Sequence, residues 1–143
     1  MTIRATVLNP GQCRARILVL EEPLSFWGGF DPVHGIVVDS HHPQRGESVA
    51  GMALVMPGSR GSAGTPAGVA ESIRRGVGPV AVLLGTADVN IAIGAMVADR
   101  LYGGATPVLT VGPEDYARLR TGDEVAIAAD GTVTAGDPPG PDN

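Results

Sequence analysis

Several features are scarce in this chain, and each scarcity excludes a class of protein. With one cysteine, Cys13, among 143 residues, the chain has no internal disulfide and no metal site built from its own cysteines alone. It carries no run of basic residues and its formal net charge is −5, which argues against binding to nucleic acid or to an anionic membrane. No apolar run approaches the ~18 residues of a membrane span, and the N-terminus lacks the pattern of an export signal. We therefore expect a cytoplasmic protein without a membrane or nucleic-acid partner.

The residues that are abundant indicate one compact domain. Apolar residues make up 43% of the chain and charged residues 17%, with 21 glycines and 12 prolines. Such a composition is typical of a loop-rich α/β or α+β protein rather than of a coiled coil or a disordered chain. The length fits a single domain, which we place at residues 1–135. Residues 136–143 contain only glycine, proline, aspartate and asparagine, and this composition predicts a mobile C-terminal tail.

Apolar periodicity predicts the secondary structure. Strands are predicted at residues 2–8, 14–20, 36–39, 50–56, 79–84 and 107–111, and a hairpin joins 123–128 to 131–134. The first two strands are separated by a turn and are predicted to pair with each other. Helices are predicted at 65–75 and 88–102, and the second places Val89, Ile93, Met96, Val97 and Leu101 on one stripe. The strand–helix–strand order over 79–111 predicts a parallel pair, and hence an α/β fold.

A loop of small residues, 57–64, connects a predicted buried strand to a predicted helix. Thr65 followed by Pro66 is a helix start, with Thr65 as the N-cap. Backbone N–H groups and the helix dipole at such a start favour an anion. Arg60 and these N–H groups can stabilise the ionised form of Ser62, or the loop residues can serve only a tight turn. The loop lacks the lysine of a nucleotide-binding P-loop, whereas binding of a phosphate or carboxylate stays open.

The only tryptophan and both phenylalanines lie within residues 21–32. Trp27 either plugs the core or forms a wall for a pocket or partner, and the sequence leaves both open. The three histidines, at 34, 41 and 42, have no recognised ligand spacing, so we expect no metal site in this chain. Asp31 precedes a proline and is most simply a turn residue.

Motifs in different parts of the chain form a specific combination. They are the Pro-Leu-Ser-Phe-Trp-Gly-Gly-Phe-Asp-Pro run at 23–32, Gly35, Asp39, His42-Pro43, Gly46, Gly51 and the Gly-Ser-Arg-Gly-Ser loop at 58–62. Residues 15–111 thereby resemble the aconitase X family, specifically its small subunit or swivel domain. The resemblance implies a swivelling β/β/α domain like the mobile C-terminal domain of aconitase. It also implies a large subunit as partner, which carries the iron–sulfur cluster and most of the substrate pocket.

The resemblance further implies roles for single residues. Family members dehydrate cis-3-hydroxy-L-proline or, in archaea, mevalonate 5-phosphate, and the serine taken as their proton acceptor falls on Ser62. Loss of water across a Cα–Cβ bond needs such a base, a cation for the substrate carboxylate and a Lewis acid. The residues expected to bind a hydroxy-acid substrate are Arg60, Gly61, Ser25, Phe26, Trp27 and Asp31. The implied protein is the small subunit of a hydro-lyase, inactive alone, that acts on cis-3-hydroxy-L-proline.

The chain departs from the family's Gly-Arg-Gly-Ser-Ser-Ser pattern after Ser62, where Ala63-Gly64-Thr65 follow. Other functions therefore stay open. One is the small subunit of a phosphomevalonate dehydratase. Another is a non-catalytic module that binds an anion, or a structural subunit whose aromatic loop is buried in a neighbour.

Overall fold

The computed structural model describes residues 1–60 and 63–136. Within these ranges the elements are β1 (Thr2–Arg4), β2 (Thr6–Asn9), β3 (Cys13–Val19), β4 (Phe30–Asp31), β5 (Ile36–Val37), β6 (Ala53–Met56), α1 (Thr65–Arg74), β7 (Ala81–Leu84), α2 (Val89–Tyr102), β8 (Val108–Thr110), α3 (Pro113–Tyr116), β9 (Glu124–Ile127) and β10 (Thr132–Gly136). None of these helices is long and apolar enough to cross a membrane. Gly136, the first residue of the predicted tail, is thus the last residue of β10. The rest of that tail, 137–143, lies outside the described residues.

Eight strands form one mixed sheet whose two edges are joined by the chain. Their order is β1-β10-β9-β3-β6-β7-β8-β2, while β4 and β5 form a separate hairpin. The central strands β3, β6, β7 and β8 are parallel, and the strands outside them pair antiparallel. Only Ala5 separates β1, at one edge, from β2, at the other. The sheet must therefore curve until its edges meet, as in a flattened barrel.

The curved sheet has a different hydrophobic core on each face. Successive side chains of a strand point to opposite faces. In β6, Val55 belongs to a buried cluster with Ile3 of β1 and Val133 of β10, which lie across the sheet. The neighbouring Leu54 belongs to a second cluster, which includes Val69 of α1 and residues of α2. One core is thus enclosed by the sheet and the other lies between sheet and helices, which confirms the predicted α/β fold with β/β/α layers.

Local strand predictions are confirmed, whereas one pairing is wrong. β7 and β8 flank α2 and pair in parallel, and β9 and β10 form the predicted hairpin. The predicted pairing of the first two strands does not occur, because β3 lies between β9 and β6. The first segment instead breaks at Ala5 into two strands that pair with β10 and β8. Such pairing is decided by distant partners and by packing, which local alternation does not report.

The start of α1 differs from the prediction, and its end agrees with it. Gly64, not Thr65, is the N-cap residue, so the predicted Thr65 cap is wrong. Thr65 is the first helical residue, and its side chain is fully buried, with no hydrogen-bond partner for Oγ1 among the described residues. At the other end Arg75 is the C-cap and Gly76 has a φ of 73°. This left-handed conformation is favoured by glycine and ends the helix as predicted.

Helix α2 turns Ile91 and its small residues inward and its other large apolar residues outward. The buried residues are Ile91, Ala92, Gly94, Ala95 and Ala98. A Cβ atom at Gly94 would lie 2.7 Å from the carbonyl oxygen of Pro66, so the glycine lets α2 approach α1 closely. The predicted apolar stripe lies on the opposite side, where Val89 is 65% and Leu101 67% exposed. Such a stripe ordinarily faces a core, but in α2 the core-facing side consists of Ile91 and the small residues.

Candidate functional site

An open cleft of about 540 Å³ lies at the carboxyl ends of the parallel strands, where the segments after β3, β5 and β6 meet. Its lining residues are Ser25, Trp27, Gly28, Gly29, Val38, Asp39, Ser40 and Arg60. The size falls within the usual range of small-molecule sites. The carboxyl ends of parallel strands are also where ligands bind in open α/β sheets. The position and size of the cleft therefore make it the candidate site.

Arg60 pairs at this cleft with two carboxylates from distant parts of the chain. Its guanidinium lies 3.3 Å from the Glu22 carboxylate and 3.9 Å from that of Asp39. About half of the Arg60 side chain is exposed, so the pairs only weakly restrain it. Because a guanidinium has five N–H donors in a planar fork, Arg60 can keep these contacts and still bind a carboxylate of a ligand.

The loop that carries Arg60 is anchored on two sides. On one side Ser59 forms a parallel β-bridge with Leu24, and the Arg60 amide donates to the Leu24 carbonyl oxygen at 3.2 Å. On the other side the Ser59 hydroxyl donates to Oδ2 of Asp88. The other oxygen of Asp88 accepts from the amides of Asn90 and Ile91 and caps α2. The position of Arg60 is therefore tied to the start of α2.

The two aromatic residues of the loop after β3 lie in different environments. Phe26 is in the core, packed edge-to-face against Phe30 with ring centroids 5.1 Å apart. Its backbone runs so close to α1 that a Cβ at Gly68 would overlap the Phe26 carbonyl oxygen. Trp27 is 62% exposed and covers Gly64, where a Cβ would overlap its indole ring. The sequence left open whether Trp27 is a core residue or lines a pocket. In the structure it lines the cleft.

The contact between Trp27 and Gly64 yields a first testable prediction. In Gly64→Ala the new methyl group displaces the indole ring into solvent. We expect a red-shifted Trp27 emission with stronger acrylamide quenching, and a loss of about 1 kcal/mol of stability from overpacking. The chain has one tryptophan, so fluorescence reports on this ring alone. Gly104→Ala is the matched control, since its Cβ would meet only a carboxylate oxygen of Asp99 at 3.5 Å. Equal emission spectra for the two variants would contradict the contact between Gly64 and the Trp27 ring.

Only part of the predicted site is brought together by the described structure. Ser25, Trp27 and Arg60 line the cleft, and the Ser25 hydroxyl donates to the Trp27 carbonyl oxygen at 2.8 Å. The Phe26 ring is in the core instead. The predicted catalytic residue Ser62 and its neighbour Gly61 lie outside the described residues.

Asp31 lies apart from the cleft, in the β4–β5 hairpin. Its carboxylate accepts from the amides of Val33 and His34 and lies 2.7 Å from Nδ1 of the His34 ring. These hydrogen bonds, led by that of the His34 side chain, lower the pKa of Asp31. Asp31 thus has the contacts of a turn residue, and the structure does not place it among the predicted substrate-binding residues at the cleft.

Four residues that position Arg60 were not predicted as site residues. Glu22 and Asp39 pair with the guanidinium, and Ser59 and Asp88 anchor its loop.

The backbone of Glu22 is itself fixed by the buried His42. Its Nε2 donates to the Glu22 carbonyl oxygen, while its Nδ1 accepts from the Gln44 amide. The sequence places Asp88 at a helix start, but only the fold shows that its second oxygen meets Ser59.

The described residues offer no ligand set for a metal cluster. They contain no group of three or more histidine, cysteine, aspartate or glutamate side chains that could hold a metal ion. Iron–sulfur clusters are bound mainly by cysteine thiolates. Burial raises the pKa of the Cys13 thiol and so disfavours its thiolate form. Cys13 lines a separate cavity, at the amino ends of the parallel strands, that has no charged lining residue.

Fold and cleft together define an α/β domain with an open cleft lined by Arg60 and Asp39. Comparison with known proteins gives the family. The model of the aconitase X swivel domain matches residues 2–135, and the chain belongs to this family. A crystal structure of holo aconitase X from Thermococcus kodakaraensis superposes with a TM-score of 0.84 at 31% identity, covering 96% of this chain and 99% of that one.

Curated relatives include dehydratases of two kinds. A cis-3-hydroxy-L-proline dehydratase of Pseudomonas aeruginosa is 39% identical over 105 residues, which are 73% of this chain and 18% of the relative. The chain thus spans less than a fifth of that protein. A phosphomevalonate dehydratase small subunit of Thermococcus gammatolerans is 33% identical over 130 residues, which are 91% of this chain and 93% of the relative.

Proposed function

We propose that this chain is the small subunit of an aconitase X type dehydratase, in which Arg60 binds the substrate carboxylate and Ser62 accepts the proton. The observation that carries the proposal is the position of Arg60. It is the one cationic side chain among the described residues that line the cleft. It lies at the carboxyl ends of the parallel strands, where this fold class binds ligands, in a chain whose relatives are dehydratases.

The cleft can serve the first half of a dehydration. When a base removes the proton on the carbon next to a carboxylate, negative charge spreads onto the carboxylate oxygens. A guanidinium that already contacts these oxygens stabilises that charge more strongly than it stabilises the ground state. A serine is a weak base unless its anion is stabilised. We assign this stabilisation to Arg60, two residues before Ser62, and to the N–H groups at the start of α1.

The second wall of the site is assigned to a large subunit. Several relatives are small subunits by name, which implies such a partner. The family implies an iron–sulfur enzyme, and the described residues of this chain offer no ligand set. We therefore propose that the large subunit holds the cluster. With base and cluster on separate bodies, the site can open for exchange and close to exclude water.

We propose cis-3-hydroxy-L-proline as the substrate. This amino acid is a zwitterion with one carboxylate and one secondary ammonium group. The cleft pairs a guanidinium with nearby carboxylates of Glu22 and Asp39, and so offers a partner for each charge. Mevalonate 5-phosphate carries a carboxylate and a phosphate, and the same two carboxylates would repel it. The 39% identity to a hydroxyproline dehydratase supports the same substrate.

The test is a comparison of substrates with the assembled enzyme. The chain is co-expressed with the large subunit of the same organism, purified as a complex, and given either compound. Proton NMR follows the Cα–H signal of the hydroxyproline and the methylene signals of mevalonate 5-phosphate. We expect turnover of cis-3-hydroxy-L-proline only. Turnover of mevalonate 5-phosphate alone would contradict the substrate assignment, and turnover of neither would contradict a dehydratase of this type.

A further inference from the structure

The outer face of α2 is the largest concentration of exposed apolar side chains in the described structure. Six of the nine exposed large hydrophobic residues within 1–60 and 63–136 belong to it: Val89, Ile93, Met96, Val97, Leu101 and Tyr102. Met96, Val97 and Leu101 line a shallow groove together with Arg100. Soluble proteins rarely leave such a contiguous patch uncovered, and patches of this kind mark docking surfaces.

This face begins at the edge of the cleft. The first residue of α2, Val89, follows Asp88, and Asp88 accepts the hydrogen bond of Ser59. Ser59 directly precedes Arg60, whose side chain lines the cleft. A partner protein that covers the cleft beside Arg60 would therefore contact Val89 as well. From there the exposed stripe continues along the whole helix to Leu101.

The charges on α2 argue against a second copy of the chain as the occupant. Arg100 is exposed in the groove and has no ion pair with any described residue. The acidic groups of the helix are already engaged, Asp99 with Asn9 and the Thr106 amide and Asp88 with the helix cap and Ser59. If α2 packed on α2 around a two-fold axis, the apolar contact would bury arginines without offering them a carboxylate, which is costly.

We propose that the outer face of α2 docks onto the large subunit, as a continuation of the contact that closes the cleft. The inference rests on the proposed function for the identity of the partner. The Pseudomonas relative supports it, because the matched segment there is joined to more than four-fifths of additional chain. The complementary surface on the large subunit is apolar, with a carboxylate opposite Arg100. The remaining residues of this chain, 137–143, contain no large apolar side chain to cover the face.

The test replaces exposed residues, so that the fold is preserved. The double variant Val97→Asp/Leu101→Asp places two charges on the face, and Val33→Asp is the matched control at an exposed apolar residue away from α2. Affinity for the purified large subunit of the same organism is measured by calorimetry, and the melting temperature of each variant checks the fold. We expect the double variant to bind about 100-fold more weakly or worse, and the control to bind like the unmodified chain. Equal binding by both variants would overturn the proposal.

A second measurement uses the unmodified chain and decides the matter if the double variant does not fold. With ¹³C-methyl methionine, the Met96 signal should shift when the large subunit is added, while the signal of the fully buried Met56 should stay. An unshifted Met96 signal in the complex would overturn the proposal, as would a dimer of this chain alone that the double variant dissociates. The two proposals can fail separately. If the double variant loses binding but the native complex catalyses no dehydration, the docking proposal is supported and only the proposed function is contradicted.

Discussion

Replacement of Ser62 by alanine should lower kcat of the assembled enzyme by about 10³-fold, with KM nearly unchanged. The hydroxyl is the proposed acceptor of the carbon-bound proton, and removal of a general base typically costs 10²- to 10⁴-fold. Substrate binding depends on Arg60 rather than on this hydroxyl, so the loss should fall on the chemical step. Steady-state kinetics with cis-3-hydroxy-L-proline and a purified complex measure both parameters.

A matched serine separates this effect from a general loss of stability. Ser48 is exposed, and its hydroxyl accepts only a local backbone hydrogen bond from Ala50, at 3.2 Å. Ser48→Ala should leave kcat unchanged, and both variants should assemble with the large subunit. A Ser62→Ala complex with turnover near that of the unmodified enzyme would remove Ser62 from the mechanism and leave the binding role of Arg60 untouched.

Replacement of Arg60 by glutamine should lower kcat/KM by about 10²-fold, with a marked rise in KM. Loss of a charged hydrogen bond to a carboxylate typically costs 2–5 kcal/mol in a closed site. The variant also leaves Glu22 and Asp39, both close to the guanidinium in the unmodified chain, to repel the carboxylate of the substrate. Arg60→Lys keeps the charge but loses the planar fork, so its defect should be smaller than that of Arg60→Gln.

Arg14 provides the control for Arg60. It too pairs with a carboxylate, Glu124 at 3.2 Å, and is exposed, but it lies on β3 and does not line the cleft. Arg14→Gln should leave KM within the error of the unmodified enzyme. An Arg60→Gln enzyme whose kcat and KM are both unchanged would show that the substrate carboxylate binds elsewhere, and the cleft would lose its proposed role.

Local patterns predicted the elements well, because each element depends on neighbouring residues. Apolar runs identified the parallel strands on either side of α2, and Gly76 identified the end of α1. The closure of the sheet was not predictable in this way. It depends on the break at Ala5, after which β2 pairs with β8 at the far edge, and nothing in the alternation of residues 2–8 distinguishes one strand from two.

The orientation of α2 was misleading for a different physical reason. Its large apolar residues form a stripe at helical spacing, but the contact with α1 selects residues by size rather than by hydrophobicity. Gly94 and the neighbouring alanines permit a close approach that larger side chains would prevent. A sequence with two possible apolar faces therefore does not reveal which one is buried within the chain and which one stays exposed.

The cleft shows the same division between local and distant information. The Gly-Ser-Arg-Gly-Ser loop and the tryptophan run identified Arg60, Ser25 and Trp27, which do line the cleft. Glu22, by contrast, is 38 residues away from Arg60 in sequence, and the fold alone brings the two together. Asp31 was part of the same run, yet the hairpin directs its carboxylate to His34.

The central claim is that this chain supplies one wall of a site whose other wall belongs to a large subunit. The most direct test is a titration of the separately purified large subunit with this chain at a fixed concentration of cis-3-hydroxy-L-proline. We predict no dehydration by either protein alone, and a rate that rises with added chain and saturates once the large subunit is fully bound. Full activity of the large subunit alone, with no change on addition of this chain, would contradict the account.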